Sequence, residues 1–294
     1  FVLLAASSAL LAGEKSAEVL LEEALELFDK RFWDEEQGLT YDTWNTEFTV
    51  LDDYRGLNAN MHTVEAFLAV ADAIKFEKYR IRAGRIIDHV IEWAHSNEWR
   101  IPEHFTKEWK ADLDCNKEQP SDRFKPYGAT PGHGIEWARL IVQWAESSYK
   151  DNLKNAEPYL NAAEKLYNRA IEDAWNVDGN PGIVYTTDWN GKPVVRDRMH
   201  WTLAEAINTS AVLWHITHKQ KYARDYEEFL CYLDEKVLDH KNGSWFHQLD
   251  ENNNVIGTVW PGKSDVYHAF QATWIPYGTP YVSIASDIKE HMRK

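Results

Sequence analysis

The chain has 294 residues and a formal net charge of −15, with 44% hydrophobic and 27% charged residues. This length and composition favour a soluble globular protein with one large core. Acidic residues number 47 against 32 basic ones, and the basic residues form no stripe, so nucleic acid and anionic membranes are disfavoured as partners.

The chain opens on an apolar segment, FVLLAASSALLAG, at residues 1–13. This segment lacks the basic n-region of a signal peptide and is too short to span a bilayer. We therefore interpret it as a buried helix, with the sequence starting inside that helix. The two cysteines, Cys115 and Cys231, lie far apart without a disulfide-like spacing. They favour a reducing, cytoplasmic location and no structural metal.

Helical periodicity follows along most of the chain. Apolar residues recur at i, i+3, i+4 and i+7 in seven segments, at residues 17–33, 60–75, 79–95, 132–148, 157–175, 201–218 and 221–238. Short connections rich in Gly, Asp and Asn separate them. The pattern predicts an all-α protein.

The connections between helix pairs also repeat. An apolar residue, an acidic or Asn turn, a glycine and a short extended piece with an aromatic residue recur after Trp33, Trp175 and Leu238. The segment after Trp99 fits the same place without its glycine. One helical hairpin plus its connection per repeat predicts hairpins that stack side by side, and a closed ring of them would be a toroid.

Titratable side chains open several of the predicted helices, although those helices are otherwise apolar. If the hairpins form a ring, the inner helices begin at the same end of the molecule, and their first turns converge on one cavity. The positive helix ends would favour carboxylates and an anionic intermediate there. The residues expected in this cavity are His62, Glu65, His133, Glu136, Glu205 and His268.

Five other histidines are interpreted as ordinary core or surface residues, because a lone histidine on a helix face usually has no ligand role. They are His95, His200, His215, His218 and His240. A metal site is the rival interpretation of the two His-x-x-Glu pairs. Di-iron bundles use the reverse order, Glu-x-x-His, and the zinc motif His-Glu-x-x-His is absent, so no metal is expected.

Four stretches carry a resemblance to a known family: NANMHTVEA at 58–66, PYGATPGHGIEWARL at 126–140, AEA at 204–206 and KSDVYHAFQA at 263–272. In this order and at these distances they resemble the N-acylglucosamine 2-epimerase superfamily. Within it they are most similar to the branch of mannose isomerases and sulfoquinovose-type aldose-ketose isomerases. The resemblance covers essentially the whole chain.

The resemblance implies an (α/α)6 barrel, with residues 1–294 forming one catalytic domain, and a cofactor-free proton transfer between C1 and C2 of an open-chain sugar. The catalytic histidines of the family carry over to His133 and His268. A base with a pKa near 7 suits this reversible transfer through a cis-enediolate. We assign His268 to the removal of the C2 proton. We assign His133 to ring opening and to proton transfer at the ring and carbonyl oxygens, and these two roles could be exchanged.

Further residues receive supporting roles. Glu136 is expected to orient His133 or a sugar hydroxyl, and Glu205 to hold a histidine imidazolium or bind a hydroxyl. Polar contacts to the substrate are expected from Arg55, Asn58, His62 and Glu65. Trp137 and Trp201 are candidates for the cavity wall or for the core. The chain holds 14 Trp and 14 Tyr, a density that suits either a thick core or a sugar pocket.

The expected substrate is a monosaccharide, with mannose to fructose as the first choice. A sulfonated or otherwise 6-modified hexose is second, because Arg123 lies ten residues before His133 and could face an anionic group. Arg123 could equally be a surface residue. A homodimer is a possible assembly, since the family implies one and many aromatic residues allow it.

The chain is about a hundred residues shorter than six hairpins require. We expect the missing part to lie at the front, because the sequence starts inside an apolar helix. The barrel is therefore expected to lack its first one to two hairpins in this sequence, which would make the domain incomplete at its N-terminus.

Other functions remain open at this point. A sugar 2-epimerase would use the same superfamily site. A glycoside hydrolase on the same toroid would need two carboxylates that flank a glycosidic bond, and the His-rich helix starts argue against it. A non-catalytic sugar-binding or partner-binding module is the remaining alternative.

Overall fold

The computed structural model describes residues 1–292, except for the side chain of residue 153. Helices dominate this part of the chain, as the periodicity predicts. The α-helices are α1 (Val2–Ala12), α2 (Ala17–Arg31), α3 (Leu57–Ile74), α4 (Glu77–Ser96), α5 (Pro131–Ser148), α6 (Glu157–Ala174), α7 (His200–Thr217), α8 (Gln220–Tyr232), α9 (Val266–Trp274) and α10 (Ile284–His291). Short 3₁₀ turns occupy Leu153–Asn155 and Ile275–Tyr277, and one π turn occupies Leu233–Val237.

Nine short strands lie in the connections. They are β1 (Trp33–Asp34), β2 (Leu39–Thr40), β3 (Arg55–Gly56), β4 (His104–Phe105), β5 (Thr186–Thr187), β6 (Pro193–Val195), β7 (Arg198–Met199), β8 (Gln248–Leu249) and β9 (Val255–Ile256). All pair antiparallel, as β1–β2, β3–β4, β5–β6 and the three-stranded β7–β8–β9. The pairs β3–β4 and β7–β8 join connections that are distant in sequence.

The helices form an arc of hairpins around a common axis. The inner helices α1, α3, α5, α7 and α9 contact one another in that order, while α2, α4, α6 and α8 pack outside against the helix that precedes each of them. This alternation of inner and outer helices is that of the (α/α)6 barrel class, so the predicted fold class is confirmed. The short helix α10 packs against α1 and α3.

The position of each helix explains its composition. Helices α3, α5 and α7 each pack between two inner helices and against one outer helix. Most of their residues are buried, including polar ones near their first turns. Outer helices α4, α6 and α8 bury one face only and are amphipathic. A helix that is apolar nearly all round is typical of the interior of a large protein.

Helix α1 confirms that the apolar opening segment is helical. Its buried side chains are Leu3, Ala6, Ser7 and Leu11, whereas Phe1 and Val2 are exposed. Among residues 1–292, no helix is both long and apolar enough to cross a membrane. Both cysteines are free thiols, Cys115 half-buried and Cys231 exposed.

Helices α4 and α5 approach closely at Gly84. A Cβ atom at this position would lie 2.4 Å from Cζ2 of Trp144, whose indole is fixed by a 2.8 Å hydrogen bond from Nε1 to the carbonyl oxygen of Arg80. We expect Gly84→Ala to lower the free energy of unfolding by about 1 to 3 kcal/mol, because overpacking outweighs the gain in helix propensity. Denaturant unfolding measures this change.

Gly134 is the matched control for Gly84, since it lies within α5 and has room for a methyl group. The nearest atom to a Cβ there is Ala170 Cβ at 3.5 Å, an ordinary contact. Gly134→Ala should therefore leave stability unchanged or raise it by up to about 1 kcal/mol. Equal stability of the two variants would contradict the close approach at Gly84.

Candidate active site

A cavity of about 400 Å³ lies where the inner helices begin. Seven of the residues predicted from the sequence line it, and they come from α3, α5, α7, α9 and one connection: Asn58, His62, His133, Glu136, Trp201, His268 and Arg123. The starts of α3, α5, α7 and α9 therefore meet at one cavity, whereas Glu65 and Glu205, also expected there, do not line it.

His268 is paired with a fully buried carboxylate. Its Nδ1 lies 3.2 Å from Oε1 of Glu205, and the other oxygen of Glu205 accepts a 2.8 Å hydrogen bond from Nε of Arg139. Burial by itself would raise the pKa of Glu205, but Arg139 and His268 outweigh it and the pKa is lowered. Glu205 is therefore ionised and accepts the Nδ1 proton of His268, which leaves Nε2 of His268 as the basic nitrogen.

His133 forms a second pair of the same kind. Its Nδ1 lies 2.9 Å from Oε2 of Glu103, a carboxylate whose side chain is 6% exposed. The pairing of β3 with β4 places Glu103 here, and its carbonyl oxygen accepts a 3.0 Å hydrogen bond from the backbone nitrogen of Leu57 at the start of α3. The sequence prediction missed Glu103, because it lies in an extended connection rather than on a helix.

The two histidines are neighbours of one tryptophan. The ring of Trp201 lies 5.1 Å from that of His133 and 5.9 Å from that of His268. Gly132 permits this arrangement, since a Cβ atom there would lie 2.7 Å from the indole of Trp201. Of the two tryptophans predicted as walls or core, Trp201 lines the cavity and Trp137 does not, because Trp137 is fully buried in the hydrophobic core.

Glu136 lines the cavity but does not orient His133. Its side chain is 1% exposed, it forms no hydrogen bond with His133 among the described residues, and Nη2 of Arg139 lies 3.6 Å from its Oε1. Burial, and then repulsion from Glu205, raise the pKa of Glu136 well above its ordinary value. This shift favours the protonated carboxyl of Glu136, a form that can donate a hydrogen bond to a sugar oxygen. Glu103, and not Glu136, contacts His133, while a contact of Glu136 with a sugar hydroxyl stays a prediction.

Glu65 supports the site from behind. It accepts hydrogen bonds from the hydroxyl of Tyr267 and from Nε2 of Gln271 at 3.2 Å, and its Oε2 lies 3.5 Å from Nδ1 of His62. Burial opposes ionisation, but His62 and Arg139 outweigh it and lower the pKa of Glu65 to about 2. Glu65 borders a different cavity and contacts His62, and its contact with the sugar stays a prediction.

Arg55 also lies outside the cavity. Its guanidinium donates to the carbonyl oxygens of Asp52 at 2.5 Å and Tyr54 at 2.8 Å, and it lies 4.8 Å from the ring centre of Tyr41. Both hydrogen bonds come from Nη1 and stabilise the connection before α3. Arg55 does not line this cavity, and its contact with the substrate stays a prediction.

Arg123 lies at the exposed edge of the cavity. Its guanidinium lies over the ring of Trp260, 4.0 Å from the ring centre, and 5.4 Å from that of Phe124. Arg123 makes no ion pair within residues 1–292. Its charge is therefore available to an anionic group that enters the cavity.

Several cavity residues were not predicted from the sequence. They come from the connections and from the residue before α9: Tyr54, His104, Tyr185, His247, Trp260 and Asp265. His104 has structural contacts, since its Nδ1 lies 2.8 Å from the hydroxyl of Tyr54 and its Nε2 2.9 Å from the carbonyl oxygen of Pro126. The aromatic residues in the repeated connections were a signal for some of these positions, and Asp265 lies in the quoted stretch at 263–272.

Two groups of side chains have donor atoms close enough to share a metal ion: His62, Glu65 and Glu136, and His200, His247 and Asp265. In the first group, Tyr267, Gln271 and His62 already occupy the oxygens of Glu65. The second group includes His200, which was predicted to be an ordinary core or surface histidine. It is buried, and its ring centre lies 6.1 Å from that of His268.

Known proteins show the same organisation. The chain is 42% identical to a D-mannose isomerase of Pseudomonas cannabina pv. alisalensis over 287 residues, which are 97% of this chain and 69% of that protein. It is also 42% identical to a D-mannose isomerase of Thermobifida fusca over 278 residues, 94% of this chain and 67% of the relative.

A solved structure and a family model agree with these relatives. The crystal structure of a D-mannose isomerase superposes with a TM-score of 0.86 at 31% identity and covers 94% of this chain and 69% of that one. The family model of N-acylglucosamine 2-epimerase (GlcNAc 2-epimerase) matches residues 1–272. Since these matches extend over most of the chain and include all four sequence motifs, the chain belongs to the N-acylglucosamine 2-epimerase family.

Proposed function

We propose that this chain is an aldose-ketose isomerase that interconverts mannose and fructose, with residues 1–294 acting as one catalytic domain. The observation that carries the proposal is the pair of histidine-carboxylate contacts, His268 with Glu205 and His133 with Glu103, beside Trp201 in one cavity. The relatives at 42% identity, both named D-mannose isomerase, support the same reaction.

The reaction begins with the open-chain aldose. Nε2 of His268 takes the proton from C2, and the electron pair of the C–H bond forms the C1–C2 double bond of a cis-enediolate as the carbonyl oxygen on C1 becomes negative. His268 then returns the proton to C1, while His133 carries the proton of the C2 hydroxyl to the negative oxygen on C1, so that C1 becomes CH₂OH and C2 becomes the ketone. Glu205 fixes the tautomer of His268 and stabilises its protonated form, so the same nitrogen serves in both directions.

His133 and Glu136 are suited to the sugar oxygens. His133, held at Nδ1 by Glu103, presents Nε2 to the ring oxygen during ring opening and to the O1 or O2 proton during isomerisation. The neutral carboxyl of Glu136 donates a hydrogen bond where negative charge develops. Both groups interact more strongly with the oxygens of the enediolate than with those of the sugar, so both stabilise the enediolate selectively.

The shape of the cavity supports a small sugar as substrate. Its volume of about 400 Å³ lies within the range of small-molecule sites, and its walls combine aromatic faces with hydrogen-bonding groups. Sugar C–H faces stack on aromatic rings, and Trp201 and Tyr185 offer such faces next to His133. Asn58 and His62 supply polar contacts from α3.

Proton NMR of sugars incubated with the enzyme in D₂O tests this proposal. Mannose and fructose should interconvert, with deuterium entering C1 of fructose or C2 of mannose, because the transferred proton exchanges with solvent on the histidine. Glucose that appears with deuterium at C2 would favour the 2-epimerase, which returns the proton to the other face. No exchange in any sugar would overturn both and favour a hydrolase or a sugar-binding module.

Arg123 is proposed to discriminate between neutral and anionic hexoses. Replacing it by Met keeps the packing on Trp260 and removes the charge. We expect Arg123→Met to lower kcat/KM for a 6-sulfonated hexose about tenfold or more and to change kcat/KM for mannose by less than about threefold, since a charge-assisted contact is worth roughly 1.5 to 3 kcal/mol. Equal losses for both sugars would contradict a role in anion recognition.

A further inference from the structure

A second cluster of ionisable side chains borders the sugar cavity and has no role in the proton transfer. It consists of His200 at the start of α7, His247 immediately before β8, and Asp265 at the N-cap of α9. One donor atom from each lies within 4.8 Å of the others. The β7–β8 pairing, together with a 3.1 Å hydrogen bond from the His200 nitrogen to the His247 carbonyl oxygen, holds the two histidines side by side.

The nitrogens of these histidines lack hydrogen-bond partners. The side chain of His200 is fully buried, and neither of its ring nitrogens forms a hydrogen bond with any group in residues 1–292; Nδ1 of His247 is also buried without one. Nε2 of His200 lies 2.8 Å from Oδ2 of Asp265, but not in hydrogen-bonding geometry. Buried polar groups normally have partners, so the unpartnered Nδ1 atoms of His200 and His247, close to a carboxylate, indicate a missing ligand.

The donor set identifies the class of ligand. Two imidazoles and one carboxylate suit zinc and similar divalent transition metals, whereas calcium and magnesium prefer oxygen donors alone. His247 and Asp265 line the sugar cavity, so an ion could enter from it and would direct its free coordination position toward it.

We propose that His200, His247 and Asp265 bind one zinc-class divalent ion in the wall of the sugar cavity, and that this ion inhibits turnover by competing with the sugar. The ion would take up space in the cavity and bind water or a sugar hydroxyl at its free position. It would also bind one oxygen of Asp265, whose other oxygen accepts a 2.8 Å hydrogen bond from the backbone nitrogen of His268. The binding of the ion does not depend on the proposed function, whereas the inhibition of turnover rests on it.

Binding is tested on the full chain after treatment with EDTA and dialysis. Calorimetric titration with Zn²⁺ should show one site per chain, and Co²⁺ should give the d–d absorption of a bound ion with nitrogen ligands. His247→Gln should weaken Zn²⁺ binding at least tenfold. The matched control His240→Gln changes a histidine that is 66% exposed and outside the cluster, and should bind like the wild type.

Asp265→Asn is a second variant that retains an oxygen to cap α9, and it should also weaken binding at least tenfold. Circular dichroism verifies that each variant is folded. Wild-type affinity in both cluster variants would overturn the site and place the ion elsewhere, for example at His62, Glu65 and Glu136. Absence of any Zn²⁺ binding to the wild type would overturn it as well.

Activity measurements separate this inference from the proposed function. The metal-free wild type should be fully active, and added Zn²⁺ should raise the apparent KM for mannose with little change in kcat, reversibly with EDTA. Zinc that binds at this site without changing turnover would overturn the inhibition alone. Activity lost with EDTA and restored by zinc would overturn both the inhibition and the cofactor-free mechanism.

Discussion

The variant His268→Gln is expected to lose about a thousandfold or more in kcat for mannose while its affinity for the sugar changes little. Glutamine occupies a similar volume and can donate a hydrogen bond to Glu205, but it cannot accept a proton from carbon. A positioned general base contributes roughly 10² to 10⁴ in rate, and here both proton steps use the same nitrogen. Deuterium exchange at C2 in D₂O, followed by NMR, measures the loss directly.

The control for this variant is His95→Gln, since His95 is exposed on the outer helix α4. It should retain wild-type kcat within about twofold, because surface substitutions rarely alter a distant site. His133→Gln separates the two histidine roles. If His133→Gln abolishes exchange at C2 and His268→Gln retains it, the assigned roles are reversed; normal turnover in both variants would contradict the enediolate mechanism.

The helical fold could be predicted from the sequence because its evidence is local. Each helix has an apolar period of 3.6 residues, and the repeated connections separate them into hairpins. The convergence of His62, His133 and His268 followed from their positions at helix starts and the parallel direction of inner helices. Both inferences depend on the order of elements, not on the details of side-chain packing.

The unpredicted site residues depend on contacts between distant parts of the chain. Glu103 reaches His133 because β4 pairs with β3, almost fifty residues earlier in sequence, and His247 reaches His200 through the β7–β8 pairing. Strands of two residues have no periodicity that a sequence pattern could reveal. Glu103 was the most consequential omission, because it completes the second histidine-carboxylate pair.

Positions inside the recognised motifs also differ in the direction of their side chains. Arg55 and Trp137 lie within or next to the recognised motifs, and neighbouring positions on a helix or strand face different directions. Trp137 follows Glu136 directly, but one helical step of about 100° turns it from the cavity into the core. Motif membership therefore located the site, while the side-chain direction at each position required the structure.

Arg139 determines the charge balance beneath the site, and Arg139→Met should be strongly destabilising. Its side chain is 4% exposed, and its charge lowers the pKa values of Glu205 and Glu65 while its Nη2 lies 3.6 Å from Glu136. Removing one partner of a buried ion pair costs about 3 to 5 kcal/mol, because the remaining charge is uncompensated. Denaturant unfolding at neutral pH should show a loss of this size.

The loss should depend on pH in a predictable direction. Without Arg139, burial dominates and the pKa of Glu205 in the folded protein rises above that of the unfolded chain. The folded variant then binds more protons than the unfolded chain, so its stability falls as the pH rises from the unfolded pKa through the raised one. The deficit relative to wild type should therefore be largest near neutrality and should keep shrinking as the pH falls through about 4 and below, where Glu205 becomes protonated in the wild type as well.

Two comparisons decide whether the buried charge is the cause. Arg196→Met removes an arginine that is 50% exposed and 3.8 Å from Glu251, and it should cost no more than about 1 kcal/mol. The double variant Arg139→Met with Glu205→Gln should be more stable than Arg139→Met alone, because the second change removes the uncompensated carboxylate. A double variant that loses the sum of the two single effects would show that Arg139 stabilises the core by packing and not by balancing the carboxylates that hold His268 and His62.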